Sequence, residues 1–284
     1  MRWLITGAQG MLGTDLVAAV RAAGHEVRGV DIADHDLTDP GQARAAVGDA
    51  EVVVNCAAFT AVDAAEEKEG AAFTVNATAA AHVARACAAV GARLVQISTD
   101  YVFAGDATEP YGEDDPQHPV GAYGRTKAAG EWAVAAACPD HYVVRTAWLY
   151  GEHGPNFPKT IARAAGQREH LDVVDDQVGQ PTWTVDLADL VVRLVASGAP
   201  SGTYHGTSSG STSWFGFAQR VVEAAGKDPA MVRPTDSSTF VRPAPRPAYS
   251  VLGHDALRAA GVEPIGSWDE RWAQASAAVL RDLG

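Results

Sequence analysis

LITGAQGMLGTDL, residues 4–16, sets glycines at 7, 10 and 13 between an apolar run and a segment with apolar residues at helical spacing. Such a loop turns tightly and presents its N–H groups at the positive end of a helix, an arrangement that accepts a pyrophosphate. By itself the G-x-x-G-x-x-G pattern also fits a close-packed turn. Its surroundings favour a dinucleotide: RWLIT before it reads as a strand, Leu12, Leu16 and Val20 recur every four residues up to Gly24, and Asp31 ends the next strand, EVRGVD. A carboxylate there accepts hydrogen bonds from the adenosine ribose and repels a 2′-phosphate, which favours NAD(H). Arg28 lies inside the strand and Arg2 begins the first one, so neither clearly answers a phosphate, and the choice between NADH and NADPH stays open.

Outward from this loop, short β-rich runs alternate with alanine-rich helical ones. Asp39 and Pro40 make an N-cap and first-turn proline for a helix near Gln42 to Val47; EVVVNCAA, a long helical stretch to about Val90, and RLVQIST follow. The alternation predicts an α/β fold, a Rossmann-like doubly wound parallel sheet covered on both faces. Between Tyr101 and Gly121 lies a Gly-, Pro- and acid-rich stretch longer than a connection needs, which reads as a functional loop. A helix carrying Tyr123, the strand HYVVRTAWLYG and a helix from about Asn156 come next. Beyond them stand GTYHG, a helix near Trp214 to Ala225, the proline-rich RPAPRPAYSVL and a closing helix from about Trp268. The expected organisation is a dinucleotide-binding domain over residues 1–150, with later returns to it, and mainly a small C-terminal substrate-binding lobe over 151–284.

The 284 residues carry 22 Lys and Arg against 35 Asp and Glu, a formal charge of −13, with the basic residues scattered. That balance argues against a nucleic-acid or anionic-membrane partner. No apolar run approaches the ~18 residues of a membrane span, and Cys56, Cys87 and Cys138, far apart in sequence, read as reduced core thiols of a cytoplasmic protein. No two histidines are spaced i, i+4 and no Cys-x-x-Cys is present, so metal catalysis has no support. The acidic run EEKE, Glu66 to Glu69, reads as a solvated helix face. Trp3, Trp268 and Trp272 read as packing residues, whereas Trp148 follows a strand in the part of the chain that should reach a ligand.

In AYGRTKAAGEW, residues 122–132, Tyr123 and Lys127 stand one helical turn apart on the same face. A neighbouring ammonium favours the phenolate, so the phenol's pKa is expected to fall toward working pH and suit it to proton transfer. Y-x-x-x-K is common on solvated helices; after a dinucleotide loop and a run of alternating strands it gains meaning. The third member is expected at a strand end, where RLVQISTDYVF supplies Ser98 and Thr99, a hydroxyl able to hold a carbonyl beside Tyr123, or else a pair that caps a turn.

TGAQGMLG, VVNCAAFTAVDAAE, STDYVFAG, AYGRTKAAGE, RTAWLYG, NFPKT, DDQVGQPTW and RPAYSVL, in this order, resemble the extended short-chain dehydrogenase/reductase superfamily, and within it the dTDP-4-dehydrorhamnose reductases. The resemblance runs over essentially the whole chain. It implies a catalytic Thr99, Tyr123 and Lys127, the last two also touching the cofactor, with Gly7 in the cofactor site, Gly10, Met11 and Leu12 over the pyrophosphate, Asp31 on the ribose, Asp36 and Leu37 by the adenine, and Ala57, Ala58 and Thr60 along it. It also implies substrate contacts from Thr99, Asp100, Trp148 and Arg246. The activity it implies is reduction of the C4 ketone of dTDP-4-dehydro-β-L-rhamnose to dTDP-β-L-rhamnose by NADPH or NADH, with Tyr123 donating the proton, in a monomer or homodimer. Two positions depart from the family's pattern. Val185 stands where some members carry a magnesium-binding glutamate, and a hydrocarbon cannot ligate that cation, so no such metal is expected. Tyr249 replaces an asparagine in RPAYS. The rival readings are another NDP-4-ketosugar reductase and an NDP-sugar epimerase or dehydratase. Similar dehydratases carry Asp-Glu after the threonine, where this chain has Asp100 and Tyr101. A non-catalytic regulatory subunit would not need Tyr123 and Lys127.

Overall fold

Trp3 and Ile5 point to one side of the first strand and Leu4 to the other, and all three are buried, so this strand needs cover on both faces. The computed structural model, which describes residues 1–281, provides that cover with helices on either side of a central sheet. The sheet contains β1 (Arg2–Thr6), β2 (Glu26–Val30), β3 (Val52–Asn55), β4 (Arg93–Thr99), β5 (His141–Thr146) and the later strand Gly202–His205. All six run parallel, in the spatial order β2, β1, β3, β4, β5, Gly202–His205. The order reverses between β1 and β3, and open α/β sheets place their ligand crevice beyond the carboxyl ends at such a point.

Helix α1 (Met11–Ala22) covers one face, and α2 (Pro40–Val47) covers the other behind Asp39, whose side chain accepts from Gln42 N at 2.8 Å. The stretch expected as one long helix is broken into α3 (Val62–Glu67), α4 (Glu69–Phe73), a π-helical turn over Thr74–Ala79, and α5 (Ala80–Val90). The break falls at Lys68, whose backbone leaves the helical region. The π turn serves Asn76, whose amide bonds Phe59 N at 2.8 Å, Phe59 O at 3.2 Å and Thr126 Oγ1 at 3.0 Å, fixing the segment after β3.

Helix α6 (Ala122–Ala137) carries Tyr123 and Lys127. It approaches its neighbours backbone to backbone: a Cβ on Gly124 would lie 2.1 Å from Tyr101 O, and one on Gly130 would lie 2.2 Å from Asn76 O.

Chain beyond residue 150 contributes to both regions. Helix α7 (Phe157–Ala165) starts behind Asn156, whose side chain accepts from Lys159 N at 3.1 Å, and joins a separate core built on Phe217, Val221 and Trp272. Helix α8 (Thr184–Ser197) instead lays Leu187, Leu190, Val191 and Leu194 against α1 and the main sheet. The segment HYVVRTAWLYG is not one strand; β5 ends at Thr146, and Leu149–Tyr150 pairs with Thr182–Trp183 outside the main sheet. No described helix is long and apolar enough to cross a membrane.

Gly130→Ala is expected to cost about 1–3 kcal/mol by overpacking, read as a lower urea midpoint. A Cβ on Gly70, in α4, would meet nothing within 4 Å. Gly70→Ala should therefore be neutral or stabilising by up to about 1 kcal/mol. Equal losses in both variants would show that close approach is not what Gly130 serves.

Candidate active site

The carboxyl ends of β1 to β5 open into one cleft of about 740 Å³, a size suited to organic ligands. At one end lies the glycine loop. Gly7 has a left-handed φ of +64°, and a Cβ there would sit 3.0 Å from Ala57 N, while one on Gly13 would sit 2.2 Å from Gly7 O. Gly10 is the N-cap of α1 and offers no side chain to its first-turn N–H groups. Together with Met11 and Leu12 it lines the cleft, so the loop is a cradle that side chains would fill, beside the positive end of α1.

Asp31, Asp36 and Leu37 line the same end, and Ala57, Ala58 and Thr60 line the wall after β3. Asp31 accepts from Gln9 N at 3.1 Å and from Ile32 N at 2.9 Å, which orients its carboxylate across the loop. Arg28 is turned away and bonds Ala46 O. Among the lining residues Lys127 is the only lysine or arginine.

Thr99, Asp100, Tyr123, Lys127 and Trp148 meet at the other end. The strand pleat separates the two candidate hydroxyls: Ser98 donates to Glu131, whereas Thr99 donates to Asp100 Oδ1 at 2.9 Å and accepts from Tyr101 N at 3.3 Å. Burial pushes the Asp100 carboxyl up to about 6, against the opposing effect of the Ser250 and Thr99 hydroxyls.

The expectation that Lys127 lowers the Tyr123 pKa is corrected. Burial, and then the negative charge of Asp100, hold the phenol above its ordinary value, with the Thr99 hydroxyl acting the other way. Lys127 Nζ is occupied, donating to Ile97 O at 2.6 Å, and burial brings the ammonium down to about 8 while Glu131 works to raise it. Sharing a helix face set the order of the two groups along the cleft, and enclosure set their chemistry.

Glu131 continues the face of Tyr123 and Lys127 inward. Its carboxylate accepts from Arg145 Nη2 at 2.8 Å and Nε at 3.1 Å, with both side chains buried, and Gln117 ties the long Tyr101–Gly121 loop to the same carboxylate. The EEKE run is likewise more than a solvated face. Glu66 Oε1 accepts from Ala122 N at 2.8 Å at the start of α6, and Glu69 binds Arg125 through two bonds, of 2.8 and 3.0 Å.

Trp148 has φ +47°, the only left-handed non-glycine among the described residues, a conformation costing on the order of 1 kcal/mol or more. Its ring stacks on Trp214 at 3.5 Å and 7°. Arg246 does not line the cleft; it pairs with Asp63 at 2.9 Å, close enough to act on Tyr101. Cys56, expected in the core, lines the cleft instead, its thiol pushed up to about 12 by burial, while Cys87 and Cys138 are buried. Val185 is exposed near the start of α8, and no group of three or more His, Cys, Asp or Glu among the described residues could hold a metal ion. Glu66, Asn76, Arg145 and Trp214 carry no sequence signal of their roles, because nothing in their spacing links them to Tyr123 or Trp148; Glu131 does carry one, standing four residues beyond Lys127 on the same helix face.

Residues 1–281 match the family described as the RmlD substrate binding domain. A dTDP-4-dehydrorhamnose reductase of Streptomyces griseus is 49% identical, covering 94% of this chain and 90% of its own length. A dTDP-4-keto-6-deoxy-D-glucose reductase of Streptomyces niveus is also 49% identical, over 96% of each chain. The crystal structure of a dTDP-4-dehydrorhamnose reductase of Bacillus anthracis, in complex with NADP, superposes with a TM-score of 0.93 at 38% identity, covering 96% of this chain and 98% of that one.

Arg145→Met leaves Glu131 buried without its charge partner and is expected to cost about 3–5 kcal/mol in urea unfolding. Adding Glu131→Leu should recover most of that loss. A double variant as unstable as the single would contradict the uncompensated-charge account.

Proposed function

Because the chain belongs to the family described by the RmlD substrate binding domain, we propose that it reduces the C4 ketone of dTDP-4-dehydro-β-L-rhamnose to the alcohol of dTDP-β-L-rhamnose, using NADH or NADPH. The observation that carries this reading is that Thr99, Tyr123 and Lys127 line the same cleft as the uncapped glycine loop. The loop and the N-terminus of α1 would hold a dinucleotide's pyrophosphate, and Asp31 its adenosine ribose. The reduced nicotinamide supplies a hydride to the carbonyl carbon.

The chain's own residues manage the oxygen. As the carbonyl gains electrons its oxygen becomes an alkoxide, a stronger base than a phenolate. The Thr99 hydroxyl turns its proton from Asp100 to that oxygen and stabilises the growing charge. Tyr123 then donates its phenolic proton, giving the alcohol. Its raised pKa suits this direction of reaction, because the phenol stays protonated until a base as strong as the alkoxide forms. Lys127, as an ammonium, would hold the nicotinamide ribose and offset the phenolate left behind, which water reprotonates for the next cycle.

Tyr101 meets Tyr123 edge to face at 5.6 Å, in the position where similar dehydratases carry a carboxylate. A half-buried phenol there is a poor base for moving ring protons, which favours simple ketone reduction over dehydration or epimerisation. The S. niveus relative's name supports a neighbouring reading, a different dTDP-4-keto-6-deoxyhexose. Asp31, with no arginine or second lysine lining the cleft, favours NADH, whereas the B. anthracis relative holds NADP. An assay with each nucleotide, following its consumption against ketosugar added, tests the proposal: one equivalent oxidised per sugar supports reduction, and sugar conversion with no net oxidation supports the epimerase or dehydratase.

Tyr123→Phe is expected to lower kcat by about 100-fold or more while leaving cofactor affinity nearly unchanged; near-normal turnover would remove Tyr123 from its role. Because Lys127 loses its proton near pH 8 in the free protein, cofactor affinity should fall as the pH rises through about 8. Lys127→Met should bind weakly at every pH, without that step. A step that persists in the variant would assign it to another group.

A further inference from the structure

Trp148 stands next to the reacting centre. Thr99 and Thr146 are register partners on β4 and β5, so Trp148, two residues beyond, lies beside the Thr99–Asp100 corner and lines the cleft. Its backbone is left-handed, at φ +47°, a conformation that costs a residue with a Cβ energy and persists only where the surroundings hold it. The surroundings do so from a single jaw. Thr212–Ser213 pairs antiparallel with Val178–Gly179; Gly179 lies so close that a Cβ would meet Trp148 Cε2 at 2.5 Å, and Trp214 follows Ser213 directly. Trp214 opens its helix with Ser213 as N-cap, the Ser213 hydroxyl accepting from Gly216 N at 3.1 Å. The Trp214 ring lies flat on Trp148 at 3.5 Å and is backed by Phe157, with centroids 4.4 Å apart. Trp214 is not among the residues lining the cleft.

We propose that Trp214 is a positioning residue that fixes the Trp148 indole as the wall holding the sugar of the substrate against Thr99 and Tyr123. The proposal rests on the ketosugar reading given above. A deoxysugar ring presents apolar C–H surface that a rigid indole can cover while excluding water from the proton-transfer step. Without Trp214 the indole has room to move and the Trp148 backbone to relax from its left-handed geometry, and the sugar loses its wall. The dTDP portion, reaching away from the reacting carbon, and the dinucleotide do not depend on that wall.

The test compares wild type, Trp214→Ala, Trp214→Phe and Trp214→Leu by titration calorimetry with dTDP-β-L-rhamnose, dTDP alone and NADH, alongside the KM for the ketosugar. Near-ultraviolet circular dichroism follows the coupled signal of the stacked indoles. Trp214→Ala and Trp214→Leu should lose that signal, weaken dTDP-rhamnose binding and raise KM about ten-fold or more, and leave dTDP and NADH binding unchanged. Trp214→Phe, which retains a flat ring, should restore most of the sugar-dependent affinity. A folded Trp214→Ala with normal dTDP-rhamnose affinity overturns the proposal, as does a proportional loss for all three ligands, which would mark Trp214 as a general core residue. If the alanine variant does not fold, equal sugar affinity in the phenylalanine and leucine variants has the same consequence. Wild-type protein that binds dTDP-rhamnose yet reduces no ketosugar overturns the functional reading alone.

Discussion

Helix α6 can carry a phenol and an ammonium to the strand ends because two of its positions have no side chain. Gly124 rests on the carbonyl of Tyr101 and Gly130 on that of Asn76, so the helix touches the turn after β4 on one side and the π turn on the other. From that closeness follow the burial of Lys127 and Glu131 and the hydrogen bond from Lys127 to Ile97 O. Glu66, bonded to the first N–H of the helix, sets where it begins, and Glu131, paired with Arg145, anchors it to β5. A wider spacing would let water in around Lys127 and return its pKa toward the ordinary one.

Enclosure has unequal effects on the groups it surrounds. It raises the Tyr123 phenol and the Asp100 carboxyl and lowers the Lys127 ammonium, moving each toward its neutral form. Glu131, further inward, meets a guanidinium in two-bonded geometry. The cleft therefore places a phenol that keeps its proton one helical turn from an ammonium, above the buried Glu131–Arg145 pair. An acid that releases its proton only to a strong base is suited to an alkoxide, which connects the burial of α6 to the direction of the proposed reaction.

The parallel sheet is readable from the sequence because strand and helix periods alternate cleanly up to Thr99, and the glycine loop because its spacing is local. Thr99, Tyr123, Lys127 and the other expected cleft residues, Arg246 excepted, line one cavity. What the sequence does not reveal depends on distance in space. Glu66 looks like any acid in a charged run until the start of α6 is laid beside it. Trp214 lies far along the chain from Trp148, and the π turn differs from an α-helix by an offset that apolar spacing cannot register. The phenol's pKa departs from its expected direction for a related reason: a helix wheel gives neighbours, whereas the dominant effect comes from the walls.

The π turn at Thr74–Ala79 also limits how the length of this segment can vary. A π turn holds one more residue than an α-helix of the same span, so deleting a single residue there would let the helix become regular. Each residue of an α-helix turns the chain by about 100°, so Asn76 or its successor would then face away from Phe59 and Thr126. The Ala57–Thr60 wall would lose its anchor although no residue of that wall had changed. Substitution is tolerated or not residue by residue, whereas insertion or deletion here would be felt across the cleft, which makes chain length itself one of the site's specifications.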